Sequence, residues 1–133
     1  FNNEGLKLLP LICYEIIFPE IVQENKLSNL IINISQDAWF GDSIGPYQHF
    51  SKAIFRAIEN NSFLVRSANK GITAIIDNKG VVKKTLQPFE KGSIEFNVQL
   101  INTKKFDKKI DLIFLIILFT GVLVFSIYKK NEK

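Results

Sequence analysis

Few residues in this chain can do covalent chemistry, which narrows the question from the start. There is one cysteine and one histidine. No internal disulfide can form, and a structural zinc site lacks the donors to build it, so no metal or cofactor is expected. Thiol chemistry therefore rests on Cys13, in the run Ile12-Cys13-Tyr14-Glu15-Ile16-Ile17-Phe18-Pro19-Glu20. A cysteine at the end of a buried strand, just before a helix, resembles a nucleophile on a strand-to-helix turn. Its thiol projects into a cleft, and the backbone N–H groups after it can face a developing oxyanion. The same features fit a small buried hydrophobe, and spacing alone leaves both readings open. Glu15 is equally open between a surface carboxylate, a helix N-terminal acid and a supporting group of the site.

These residues need elements to position them. Leu6 to Cys13 reads as a buried strand with Pro10 limiting its ladder. Pro19-Glu20 fits a helix start. Leu30 to Ile34 is apolar and β-branched enough for a central strand. Ser35 to Pro46 is a loop carrying Asp37, Trp39 and Phe40. Asp37 fits equally a site residue of that loop or one that turns it through its own backbone. A helix is expected from Tyr47 to Asn60, since Phe50, Ala53, Ile54, Ala57 and Ile58 make one apolar stripe. Strands follow over Ser62–Ala68 and Gly71–Asp77, then a turn at Asp77-Asn78-Lys79-Gly80 leading into Val81-Val82. Ser93–Leu100 alternates as a strand with one buried face. The expected fold class is α/β, a mixed layer structure over residues 1–101.

The formal charge of +4 comes from 17 Lys and Arg against 13 Asp and Glu. Over residues 1–103, eight Lys and two Arg balance ten acids, so the whole excess lies in residues 104–133. A neutral body disfavours nucleic acid as a partner, because no basic face is available to displace counterions from phosphates. Residues 102–109 form a polar connector. Beyond it, within a span of residues 110–128, Leu112–Tyr128 is seventeen residues without a charge. At about 1.5 Å per residue that reaches roughly 26 Å, close to the ~30 Å hydrocarbon thickness, so a transmembrane helix is expected, followed by a tail at 129–133. Lysines flank both ends nearly equally, so charge counting does not orient it. A chain that opens at Phe1 and holds no methionine is expected to be the C-terminal part of a longer protein.

The motif Cys-Tyr-Glu-x-x-Phe-Pro-Glu resembles the nucleophile motif of the nitrilase, or carbon–nitrogen hydrolase, superfamily. A longer stretch, Asn33-Ile34-Ser35-Gln36-Asp37-Ala38-Trp39-Phe40-Gly41-Asp42-Ser43-Ile44-Gly45-Pro46-Tyr47-Gln48-His49, is similar to the signature loop of its membrane-embedded branch, the apolipoprotein N-acyltransferases. Arg66-Ser67-Ala68-Asn69-Lys70-Gly71-Ile72-Thr73-Ala74 resembles the family's strand and turn. The resemblance implies part of an α-β-β-α sandwich facing the periplasm of a bacterial inner membrane, with several membrane helices before it and one after. It implies an enzyme that moves an acyl chain from a phospholipid donor onto the cysteine as a thioester. The chain then passes to the N-terminal amine of a diacylglyceryl apolipoprotein. By motif position Cys13 is the nucleophile, Tyr14 and Glu15 support the site, and the Tyr14 N–H is an oxyanion donor. The resemblance also puts the Lys129-Lys130 end in the cytoplasm.

One departure matters. The superfamily places a Glu base and a Lys well before the cysteine, whereas only Glu4 and Lys7 precede Cys13 here, neither in a matching context. An ordinary thiol, with pKa about 8.5, is mostly protonated at neutral pH, so a fragment lacking that base is expected to be inactive. Trp39 and Phe40 read either as lid aromatics packed on the core or as acyl-chain contacts. His49 reads as a capping or helix–loop hydrogen-bonding group, and Arg56 and Arg66 as structural ion-pair formers. Two rivals are a soluble nitrilase-type amidase, which the hydrophobic tail and the Asp37–His49 loop disfavour, and a membrane-anchored binding module in which Cys13 is only packed.

Overall fold

The computed structural model describes residues 2–3, 5–25, 28–100 and 108–131, in two units divided after Thr103. The first unit is built on a six-stranded sheet whose strands lie in sequence order. They are β1 (Asn2–Asn3), β2 (Leu6–Ile12), β3 (Leu30–Gln36), β4 (Phe63–Asn69), β5 (Thr73–Ile76) and β6 (Val82–Leu86). β2, β3 and β4 run parallel; β1 joins β2, and β5 and β6 follow β4, all antiparallel. Pro10 pairs with Ile32 on the β3 side, while β1 reaches only Leu6 and Lys7 on the other, so its missing N–H falls where β2 is left as an edge among the described residues.

Parallel strands need crossovers, and both lie on one face. The β2–β3 crossover holds a 3₁₀ turn, Cys13–Ile17, and the short helix α1, Pro19–Glu24. The β3–β4 crossover holds a 3₁₀ turn, Ala38–Phe40, and helix α2, Gly45–Glu59. Helix α2 starts two residues before the expected Tyr47, because Pro46 is accommodated in its first turn, where a missing N–H costs nothing. Ala53 and Ala57 of its stripe are fully buried and Phe50 and Ile54 partly so, against Leu9, Leu11, Ile31, Leu64 and Ile76 of the sheet and Ile16 and Val22 of the first crossover. The opposite sheet face is apolar and open: Ile12 is 68% and Ile34 61% exposed. One helix-covered sheet, half of the implied sandwich, is present among the described residues.

The strand expected at Ser93–Leu100 does not form; residues 91–100 run without regular structure. Alternation marks which face of a segment is apolar, but a strand also needs an edge to bond, and no described strand pairs with this one. Phe96 still packs near the sheet, its ring centroid 6.2 Å from that of Phe63.

The second unit is helix α3, Lys108–Asn131. Among the described residues no helix is long and apolar enough to cross a membrane, so the transmembrane helix expected over residues 110–128 is not borne out here. Connector residues 102–107, with Lys104 and Lys105, and also Glu4, Glu132 and Lys133, lie outside the described residues.

Candidate functional site

The carboxyl ends of β2, β3 and β4 carry Cys13, Asp37 and Lys70-Gly71, so three parallel strands deliver their following loops to one edge of the sheet. That edge is where open α/β sheets place ligands. Cys13 sits in the left-handed region, with φ +48. For a residue with a Cβ this costs about 1–2 kcal/mol, so the surroundings must hold it. Two contacts do so. The Glu15 carboxylate reaches back to accept the Ile12 N–H at 2.7 Å. On the other side Asn33, fully buried on β3, donates its Nδ2 to the Leu11 carbonyl at 3.1 Å and, more weakly, to the Cys13 carbonyl at 3.5 Å.

Asn33 is itself held by Arg66, its register partner on β4. The Arg66 side chain has no solvent exposure and spends its donors on three acceptors: Asn33 Oδ1, the Ile72 carbonyl at 3.2 Å, and Asp37 Oδ2 at 2.7 Å. Asp37 also accepts from the Ser35 hydroxyl at 2.6 Å and from His49 Nδ1 at 2.9 Å. His49 Nδ1 lies 2.9 Å from Asp37 Oδ1, which only accepts, and 3.1 Å from Arg66 Nη2, which only donates; the shorter contact favours a proton on Nδ1, and Nε2 is buried and unpartnered. Burial alone would raise the Asp37 carboxyl, but hydrogen bonds from His49, Ser35 and Arg66, with the Arg66 charge, hold it down to about 2. Burial pushes the Arg66 guanidinium below its usual range, against the opposing pull of Asp37. Gly71 completes the fit: a Cβ there would overlap the Asp37 carboxylate.

The expected roles are thus partly redrawn. Asp37 makes no bond to its own loop backbone with its side chain; it neutralises Arg66. His49 caps no helix but does make the expected helix–loop hydrogen bond: it lies in the first turns of α2, bonded to Asp37 in the loop after β3 and stacked on Tyr14, with ring centroids 5.3 Å apart. Arg66 does form an ion pair, and Arg56 pairs with Glu59. Of the two loop aromatics, Phe40 packs against Tyr14 and His49, while Trp39 is 87% exposed. Asn33 and Ser35 escaped the sequence reading as site residues, although polar side chains at 33, 35 and 37 on one face of an apolar strand were a visible anomaly.

The thiol of Cys13 is half-buried, with Ser35 Oγ at 3.9 Å from Sγ. Ser35 has one proton, and the 2.6 Å contact to Asp37 takes it, so its oxygen faces the sulfur as an acceptor. No other described group hydrogen-bonds Sγ. A cavity of about 150 Å³ lies nearby, lined by Tyr14, Ile17, Phe40, Gln48, His49 and Lys52 among others. No described cluster of three or more His, Cys, Asp or Glu side chains is placed to hold a metal.

A carbon–nitrogen hydrolase family model matches residues 1–107. Among curated proteins, the chain is 56% identical over 79 residues to an apolipoprotein N-acyltransferase of Allorhizobium ampelinum, covering 59% of this chain and 15% of that protein. With one from Shewanella oneidensis it is 37% identical over 131 residues, 97% of this chain and 25% of the relative. The chain therefore spans a quarter or less of these relatives' length. Among solved structures, an amidase from Nesterenkonia sp. AN1 matches with a TM-score of 0.54 at 22% identity, covering 66% of this chain and 38% of that one. That likeness establishes the fold.

Proposed function

Because the chain belongs to the carbon–nitrogen hydrolase family, we propose that it is the cysteine-bearing part of an apolipoprotein N-acyltransferase. The observation that carries this reading is the strained elbow at Cys13, φ +48 at the carboxyl end of β2, in a chain whose curated relatives bear that name. In the first step Sγ attacks the ester carbonyl of a phospholipid. The S–C bond forms, the ester C–O bond breaks, and the lysophospholipid oxygen leaves with the proton. In the second step the N-terminal amine of a diacylglyceryl apolipoprotein attacks the thioester. The C–N bond forms, the S–C bond breaks, and the amine proton returns to the sulfur. Splitting the transfer lowers each barrier, and the Tyr14 N–H stabilises both oxyanions.

Two features support a dependence on further chain. Sγ has only Ser35 as a described hydrogen-bond partner, so no base is at hand, and the family resemblance puts a Glu and a Lys upstream. The open apolar sheet face around Ile12 and Ile34 also calls for a covering layer. The present residues alone are then inactive. Membrane anchoring is supported by the sequence of α3: 24 helical residues reach about 36 Å at 1.5 Å each, and Leu112–Tyr128 carries no charge. The resemblance orients the catalytic part to the periplasm.

The test is acyl-enzyme formation by the full-length protein with phospholipid. Cys13→Ala and Cys13→Ser should abolish the thioester while the protein still accumulates. Thioester labelling that persists in either variant overturns the nucleophile assignment.

A further inference from the structure

Between the strained thiol residue and the buried Asp37–Arg66 pair stands one carboxamide, that of Asn33. Its atoms are fully assigned by their neighbours. Arg66 has only donors, so Oδ1 must face it; the carbonyls of Leu11 and Cys13 only accept, so Nδ2 must face them. The two Nδ2 protons are thus directed at the carbonyls that precede Ile12 and follow the Cys13 Cα. The chain has no cis peptide bonds. In a trans peptide the N–H points opposite to the C=O, so turning the Cys13 carbonyl toward Asn33 turns the Tyr14 N–H away from it. That N–H lies at the start of a 3₁₀ turn, has no intrahelical acceptor, and meets no acceptor among the described residues.

We propose that Asn33 is a positioning residue for acyl transfer: it fixes the plane of the Cys13–Tyr14 peptide and thereby aims the Tyr14 N–H at the developing oxyanion. Arg66 and Asp37 serve it in turn. Asn33 can hold the plane only if its own Oδ1 is anchored, and the fully buried guanidinium anchors it. The arrangement places a rigid strand, rather than a loop, behind the oxyanion donor, which is what electrostatic preorganisation requires. The inference rests on the acyltransferase reading above, and deepens it by adding a residue that touches neither substrate.

Two variants of the full-length protein test it. Asn33→Ala deletes the amide. Asn33→Asp keeps an acceptor for Arg66 but sets a carboxylate oxygen against the two carbonyls, so it decides the matter if the alanine variant does not accumulate. Two rates are compared: thioester formation from phospholipid, which passes through an oxyanion, and alkylation of Cys13 by iodoacetamide on its high-pH plateau, which does not. Loss of one oxyanion donor slows reaction about 10²–10³-fold. The expected result is a thioester rate down by that factor, in kcat rather than KM, with alkylation within about threefold of wild type. Thioester formation within tenfold of wild type in Asn33→Asp overturns the proposal. So does a parallel fall in both rates, which would make Asn33 merely structural. A wild-type protein that forms no thioester would instead overturn the acyltransferase reading, so the two failures are distinguishable.

Discussion

Replacing Asp37 by Asn isolates the buried charge pair with almost no change of shape. The carboxylate accepts from Arg66 at 2.7 Å, Ser35 at 2.6 Å and His49 at 2.9 Å, and both Asp37 and Arg66 are fully buried. An asparagine there keeps one acceptor and turns an N–H₂ toward a donor, leaving the guanidinium without a counter-charge. Breaking a buried pair from one side costs about 3–5 kcal/mol, a large share of the ~5–15 kcal/mol that stabilises a domain. At roughly 2–4 °C per kcal/mol, the melting temperature of the full-length protein in detergent should fall by about 6–20 °C. The loss should also depend on pH. Asp37 is held at about 2 against an ordinary value of 3.8, so its folded-state carboxylate is favoured. Its contribution is complete above the unfolded value and disappears as pH falls toward the folded one. At 1.36 kcal/mol per unit that is about 2 kcal/mol. Circular dichroism melts from pH 7 down to pH 2–3 should therefore show the gap between wild type and Asp37→Asn narrowing in acid. A melting temperature within about 2 °C of wild type at neutral pH, or a gap constant across the acid range, would refute the account.

Other outcomes follow from the same geometry. Gly71→Ala puts a methyl group where the Asp37 carboxylate lies, so it should destabilise by about 1–3 kcal/mol, and by less when Asp37 is already Asn, because both act through one contact; a double-mutant cycle of melts measures the coupling. Trp39→Ala removes a side chain that is 87% exposed, so stability should stay within about 0.5 kcal/mol of wild type, as thermal melts will check.

Local chemistry in the sequence was enough for several of these elements. The stripe from Phe50 to Ile58 is a property of 3.6-residue periodicity, and it returns as α2; the β-branched run at Leu30–Ile34 returns inside β3; the strand ending at Cys13 is broken by the turn that Glu15 closes. Each of these is decided within a few residues of chain. The segment Ser93–Leu100 shows the limit, since its alternation is a local fact while its pairing depends on an edge elsewhere.

The sequence by itself determined where the thiol stands, which helix and strands flank it, and that the charge excess belongs to the terminal helix region. Only the tertiary structure decided what holds the thiol residue in place. Asn33 and Arg66 lie 33 residues apart and meet because parallel β3 and β4 pair in one particular register; Asp37 and His49 meet Arg66 because the β3–β4 crossover that carries both passes over the face of the sheet on which Arg66 lies. A buried ion pair is read from which side chains converge without water, and convergence across strands is set by register and crossover handedness, which no single segment encodes.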